Sequence, residues 1–189
     1  GAMHLRLLLL VLLTMAWLPL DANALSPDKS VTRYQHDVWL PEHGLPQVSI
    51  QDLVQSQEGY LWIATQEGVA RFDGVGFEVF DRYNTPAMAV SRVEALALDP
   101  RGGVWAGTWG GGLVHLGLPT RSWTTDHGLP SDVVLDVVLR GDELWVATDQ
   151  GVARQRGDRF VSVPGPTERV DHIFVGDRLY VGGREGVFR

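Results

Sequence analysis

The chain has 189 residues, 44% of them hydrophobic and 21% charged, with a formal net charge of −7 and no cysteine. That length supports a sizeable apolar core. The acidic balance, with Lys and Arg scattered, argues against a nucleic-acid partner, and the lack of cysteine excludes disulfides, thiolate metal sites and Cys nucleophiles.

Arg6 precedes an apolar run over residues 7–18, Pro19 breaks it, and Ala22-Asn23-Ala24 follows. A basic start, a short apolar core and a small-x-small site read as an export signal over residues 1–24, cleaved between Ala24 and Leu25. The run is about 12 residues long, well short of the roughly 20 that a membrane-spanning helix needs. Gly1 and Ala2, ahead of Met3, read as non-native or upstream residues.

Everything after Ala24 is organised by a repeat. Trp62-Ile63-Ala64-Thr65-Gln66-Glu67-Gly68-Val69-Ala70-Arg71 is echoed by Trp145-Val146-Ala147-Thr148-Asp149-Gln150-Gly151-Val152-Ala153-Arg154. Trp105-Ala106-Gly107-Thr108 lies between them, and Tyr180-Val181-Gly182-Gly183 opens a fourth copy. The anchor aromatics at 62, 105, 145 and 180 are 43, 40 and 35 residues apart. That spacing fits a unit of four short antiparallel strands, the blade of a β-propeller. Apolar residues alternate through 48–50, 93–97 and 133–137, the period of a half-buried strand. Thr-x-x-Gly at 65–68 and 148–151 predicts tight hairpins closed by a left-handed glycine. No stretch after the signal sustains helical periodicity, so the prediction is all-β.

Each blade is predicted as strands A to D, over residues 47–80, 90–125, 131–163 and, lacking strand D, 168–189. Residues 34–40 precede His43-Gly44-Leu45-Pro46 as residues 122–125 precede His127-Gly128-Leu129-Pro130, and so read as a stray outer strand. Either that strand completes the fourth blade, with Trp39 packed on it, or the repeats belong to a larger propeller. The absence of an atypical closing unit favours the larger propeller.

These residues carry a family resemblance. His43-Gly44-Leu45-Pro46, Glu58-Gly59-Tyr60-Leu61-Trp62-Ile63-Ala64-Thr65 and Gly68-Val69-Ala70-Arg71-Phe72-Asp73-Gly74 resemble the two-component regulator propeller repeat. Ala64 and Ala147 stand where that repeat has glycine, Tyr180 where it has tryptophan and Gly183 where it has threonine. The resemblance implies an extracytoplasmic sensor region on the periplasmic side of a bacterial inner membrane. Its parent would be a membrane-anchored, dimeric histidine kinase or diguanylate cyclase, with neither output domain in these residues. A stand-alone periplasmic binding propeller is the alternative, and a propeller lyase or hydrolase ranks below it.

Trp62, Trp105 and Trp145 take equivalent inward positions and read as core between blades. Trp109, beside Gly110-Gly111-Gly112, reads as a possible stacking platform. His43 and His127 precede equivalent turns and fit loop hydrogen bonds better than a metal. Arg71 and Arg154 are expected in polar contacts between blades. In an up-and-down sheet the B–C turns and D–A connections share one end. That end collects His43, Gln66, Glu67, Trp109, His127, Asp149, Gln150, Arg184 and Glu185, a face suited to a small polar ligand or a periplasmic protein. The opposite end, with Gly59, Gly74, Gly102 and Gly141, reads as plainer. No catalytic, cofactor-binding or metal-ligating residue is assigned.

Overall fold

The computed structural model describes residues 37–165, 167–184 and 186–189. The cleavage site at Ala24 and Leu25, and Glu185, lie outside the described residues. Trp39–Arg189 form one compact unit; Asp37 and Val38 are the described end of the unit before it.

The unit is a run of β-propeller blades. Blade 1 is β1 (Ile50–Gln55), β2 (Leu61–Thr65), β3 (Gly68–Phe72) and β4 (Phe77–Phe80). Blade 2 is β5 (Val93–Leu98), β6 (Val104–Thr108), β7 (Leu113–Leu116) and β8 (Arg121–Trp123). Blade 3 is β9 (Val134–Arg140), β10 (Glu143–Thr148), β11 (Gly151–Arg156) and β12 (Arg159–Ser162). Blade 4 has β13 (Val170–Val175), β14 (Leu179–Gly183) and β15 (Gly186–Phe188). Each is an antiparallel meander with neighbours paired in sequence order. The first strands are innermost: β1 packs on β5, β5 on β9 and β9 on β13.

The repeat's chemistry explains this layout. Trp62, Trp105 and Trp145 are buried, and each faces the blade that follows. Trp62 packs with Val104 and Leu116, Trp105 with Leu144 and Phe160, and Trp145 with Ile173 and Val181. Truncating such a side chain costs about 3–5 kcal/mol, so these contacts dominate how blades hold together. Blade 1 also carries Leu45, Ile63, Ala70, Leu61 and Phe77 on the side away from blade 2.

Two of the junctions are further tied by a carboxylate. Asp52 Oδ1 accepts the N–H of Leu53 at 2.7 Å, and its Oδ2 accepts the N–H of Leu96 in blade 2, also at 2.7 Å. Asp136 does the same with Val137 at 2.8 Å and Ile173 of blade 4 at 2.8 Å. Ala95 and His172 stand at the matching register positions of blades 2 and 4.

Two expectations are corrected. Residues 37–40 form no strand, and residues 34–36 lie outside the described residues. Pro41, which has no N–H for a ladder, opens a one-turn 3-10 helix over Pro41–His43. Trp39 rests on Phe72 of blade 1 at 4.9 Å between ring centroids, not on blade 4. Arg71 and Arg154 pair within their own blades, with Glu78 at 2.5 Å and Glu143 at 2.7 Å. Each guanidinium stacks near its own blade's tryptophan, at 5.6 Å and 5.1 Å from the ring centre. The flat cation prefers that aromatic face to a reach across the blade junction.

Candidate functional site

The hairpins between second and third strands are built alike. The buried hydroxyls of Thr65, Thr108 and Thr148 donate to the carbonyls of Gly68, Gly112 and Gly151 at 2.9, 2.7 and 2.8 Å. They accept from the N–H groups of Glu67, Gly111 and Gln150 at 3.1, 3.0 and 3.1 Å. Each threonine thereby locks its turn and presents the next residue: Gln66, Trp109 or Asp149. Gly183 replaces the threonine in blade 4, ahead of Arg184.

Close to these turns, every inner strand carries a bulge. The extra residues are Gln51, Glu94, Leu135 and Asp171. A bulge re-aims a side chain out of the regular ladder. All four residues line one depression, joined there by Arg169 and His172. This is the place where all four blades meet.

Trp109 stands beside it, 37% exposed. Its N–H donates to the Arg92 carbonyl at 2.9 Å, and its backbone bridges to Val133 of blade 3. The Arg92 guanidinium lies 4.2 Å from the ring centre and that of Arg169 lies 5.5 Å away. Arg92 pairs with Glu94 at 2.5 Å, and Arg169 with Asp171 at 2.6 Å. The result is a half-exposed aromatic held by two cations, each tethered by its own carboxylate. Such a surface offers donors, acceptors and a π face to a polar ligand.

The predicted residues divide around this centre. Trp109 belongs to it. Gln66, Glu67 and Gln150 are exposed on their turns, as is Arg184, which lines a cleft with Arg169 between blades 3 and 4. Asp149 is half-buried, with its N–H on the Val133 carbonyl at 3.2 Å and its Oδ1 buried without a hydrogen-bond partner. His43 and His127 lie elsewhere. Their Nδ1 atoms accept from the N–H of Leu40 at 3.0 Å and of Thr124 at 3.2 Å, closing two matching 3-10 turns. Those turns sit against the outer strands, with Gly44 beside Phe77 and Gly128 beside Phe160.

Arg92, Glu94, Arg169 and Asp171 were not singled out from the sequence. Their signal was Arg92-Val93-Glu94 and Arg169-Val170-Asp171, an Arg-x-acid pair at the start of two inner strands. The opposite end is also less plain than its glycines indicated. There Asp99 accepts from Arg101 at 3.0 Å and lies 3.2 Å from His115 Nε2, out of line for a hydrogen bond. Burial works to raise the Asp99 pKa, but the hydrogen bonds from Arg101 outweigh it and leave the group lowered. Among the described residues, no group of three or more His, Asp or Glu side chains is placed to hold a metal ion.

Residues 44–67, spanning the Gly44-Leu45-Pro46 turn, β1, β2 and the locked hairpin, match the family described as two component regulator propeller. Over those residues the chain is similar to one repeat of that family. Its fold is shared with the extracellular domain of BT3049 from B. thetaiotaomicron, described as a hybrid two component system. That likeness has a TM-score of 0.66 at 18% identity, covering 78% of this chain and 21% of the other. The extracellular domain of BT4673 from the same organism, described as a one component system, has a TM-score of 0.60 at 21% identity. It covers 73% of this chain and 20% of the other. The chain thus spans about a fifth of the length of each neighbour. No curated protein matches it.

Proposed function

We propose that these blades form part of the extracytoplasmic sensor region of a bacterial signal-transduction protein, whose output is a histidine kinase or a diguanylate cyclase. The regulator propeller repeat and the fold shared with two extracellular sensor-system domains support that setting. The chain is exported and cleaved between Ala24 and Leu25, in keeping with its short apolar run and Ala-Asn-Ala site. Among the described residues no helix is long and apolar enough to cross a membrane.

The ligand is small and polar, and it binds at the depression shared by the four inner strands. The observation that carries this reading is Trp109, half-exposed between Arg92 and Arg169. Ligand contact there would be transmitted through blades that hold one another by their buried tryptophans, a rigid path rather than a loop motion.

Thermal-shift measurements with sugars, amino acids and organic acids test it. A compound that raises Tm in the wild type and fails with Trp109→Ala and Arg92→Ala supports the site. A compound whose shift survives both substitutions moves the site elsewhere. In the parent protein, the same substitutions should abolish the change in kinase or cyclase output that this compound causes.

A further inference from the structure

In blades 1, 2 and 3 the anchor tryptophan has a basic residue directly across the ladder on the third strand. Arg71 stands opposite Trp62, His115 opposite Trp105 and Arg154 opposite Trp145. In blades 1 and 3 this residue is a permanent cation, placed near its indole and paired with Glu78 or Glu143. Blade 2 keeps the same three parts, an indole, a base and an acid, as Trp105, His115 and Asp99. Of the three bases only the histidine gains or loses its charge near neutral pH. Blade 2 is flanked by blade 1 and blade 3, so the arrangement owes nothing to either end of the chain.

The histidine pair is assembled but not closed. The His115 side chain is 15% exposed and that of Asp99 only 4%. Gly117 leaves room for the ring, since a Cβ there would stand 2.4 Å from His115 Cε1. His115 Nε2 lies 3.2 Å from Asp99 Oδ2, yet it is buried and has no hydrogen-bond partner. The ring's hydrogen bond goes to the Gly102 backbone instead. A neutral imidazole that donates through Nδ1 turns a lone pair to the carboxylate, and a lone pair cannot bond it. Asp99 is held by Arg101, with Nε on Oδ1 at 3.0 Å and Nη2 on Oδ2 at 3.1 Å. Two bases therefore reach the same Oδ2, and only one of them bonds it.

We propose that blade 2 holds a proton-binding switch in which His115 and Arg101 compete for Asp99. A proton taken from solvent onto Nε2 turns the lone pair into a charged donor, and a small rotation of the ring brings it onto Oδ2. Blade 2 then carries an ion pair beside its tryptophan, as blades 1 and 3 always do. Arg121 faces His115 directly across the ladder but is tied to Asp158 of blade 3 at 3.0 Å. Asp142 of blade 3, with Arg71 and Glu78 of blade 1, lines the same cleft. The cation that yields is Arg101, which is 76% exposed and loses its hold on Oδ2. Burial and the Arg101 charge oppose the proton while Asp99 favours it, and the balance keeps the ring neutral until the pH falls below the ordinary 6.5. The switch therefore answers to acid, at the end of the molecule away from Trp109.

Proton–nitrogen NMR of the labelled chain between pH 7.5 and pH 4.5 reads the imidazole and the Arg101 Nε–H on the wild type alone. The expected result is a His115 midpoint below 6.5, with the Arg101 signal moving at the same midpoint. Tryptophan emission gives a second reading, because a protonated imidazole quenches the indole it touches and His115 touches Trp105. Emission should fall over the same range in the wild type and stay level in His115→Gln. Arg101→Ala should raise the midpoint by removing an opposing charge, and Asp99→Asn should lower it by removing a favouring one. A His115 that does not titrate in this range overturns the proposal. So does an Arg101 signal that stays constant while His115 titrates, or a midpoint that neither substitution moves. No reading involves a ligand at the Trp109 depression, so the two proposals stand or fall separately.

Discussion

His115 packs on Trp105 with ring centroids 4.5 Å apart, in the end of the molecule away from Trp109. Burial lowers its pKa from the ordinary 6.5; the Asp99 charge opposes that shift and the Arg101 charge adds to it. The folded state therefore prefers the neutral ring. Its contribution to stability is present above about 6.5 and is lost as pH falls through the lowered folded value. Chemical denaturation at pH 7.5 and pH 5 should show the wild type losing more stability than His115→Gln. Trp109 and Trp105 make a second contrast at this scale. Trp109→Ala should cost about 1–2 kcal/mol, the scale of its two exposed cation–π contacts, whereas Trp105→Ala should cost about 3–5 kcal/mol. Urea titration separates them. The difference was legible in the residues, since Trp105 alternates within a strand and Trp109 sits among glycines. The arginines that brace Trp109 were not, because their role depends on where three blades bring their chains together.

The strands themselves were readable because the anchor tryptophans fix a register and side chains alternate around them. The bulges were not readable. Gln51 and Glu94 lie within ordinary alternating runs, and only the pairing on either side reveals the extra residue. Residues 37–40 misled for a related reason. The analogy with the segment before His127 was correct for the turn, since both histidines close matching 3-10 helices. It failed for the preceding chain, which packs Trp39 on Phe72 without a ladder. Two substitutions probe these devices. Asp136→Ala leaves the N–H groups of Val137 and Ile173 without acceptors and should cost about 2–4 kcal/mol by calorimetry. Gly128 has φ of 94°, and a Cβ there would stand 2.2 Å from the Phe160 carbonyl oxygen. Gly128→Ala should therefore lower Tm sharply, as a strained turn pressed against backbone must.

At the scale of the molecule, the propeller could be read from spacing alone, because a repeat near 40 residues leaves few architectures. What spacing could not supply is how one blade addresses the next. Removing blade 4, by ending the chain after Val163, would uncover Trp145 and Val152. The expected result is a lower denaturant midpoint. The alternation of bridged and unbridged junctions has a consequence for how such an array changes length. Excising one internal blade brings two junctions of the same kind together: either an amide loses its carboxylate or a carboxylate loses its amide. Excising or copying two adjacent blades keeps every amide matched. The structural unit of this chain's junctions is therefore a couplet of blades rather than a single one.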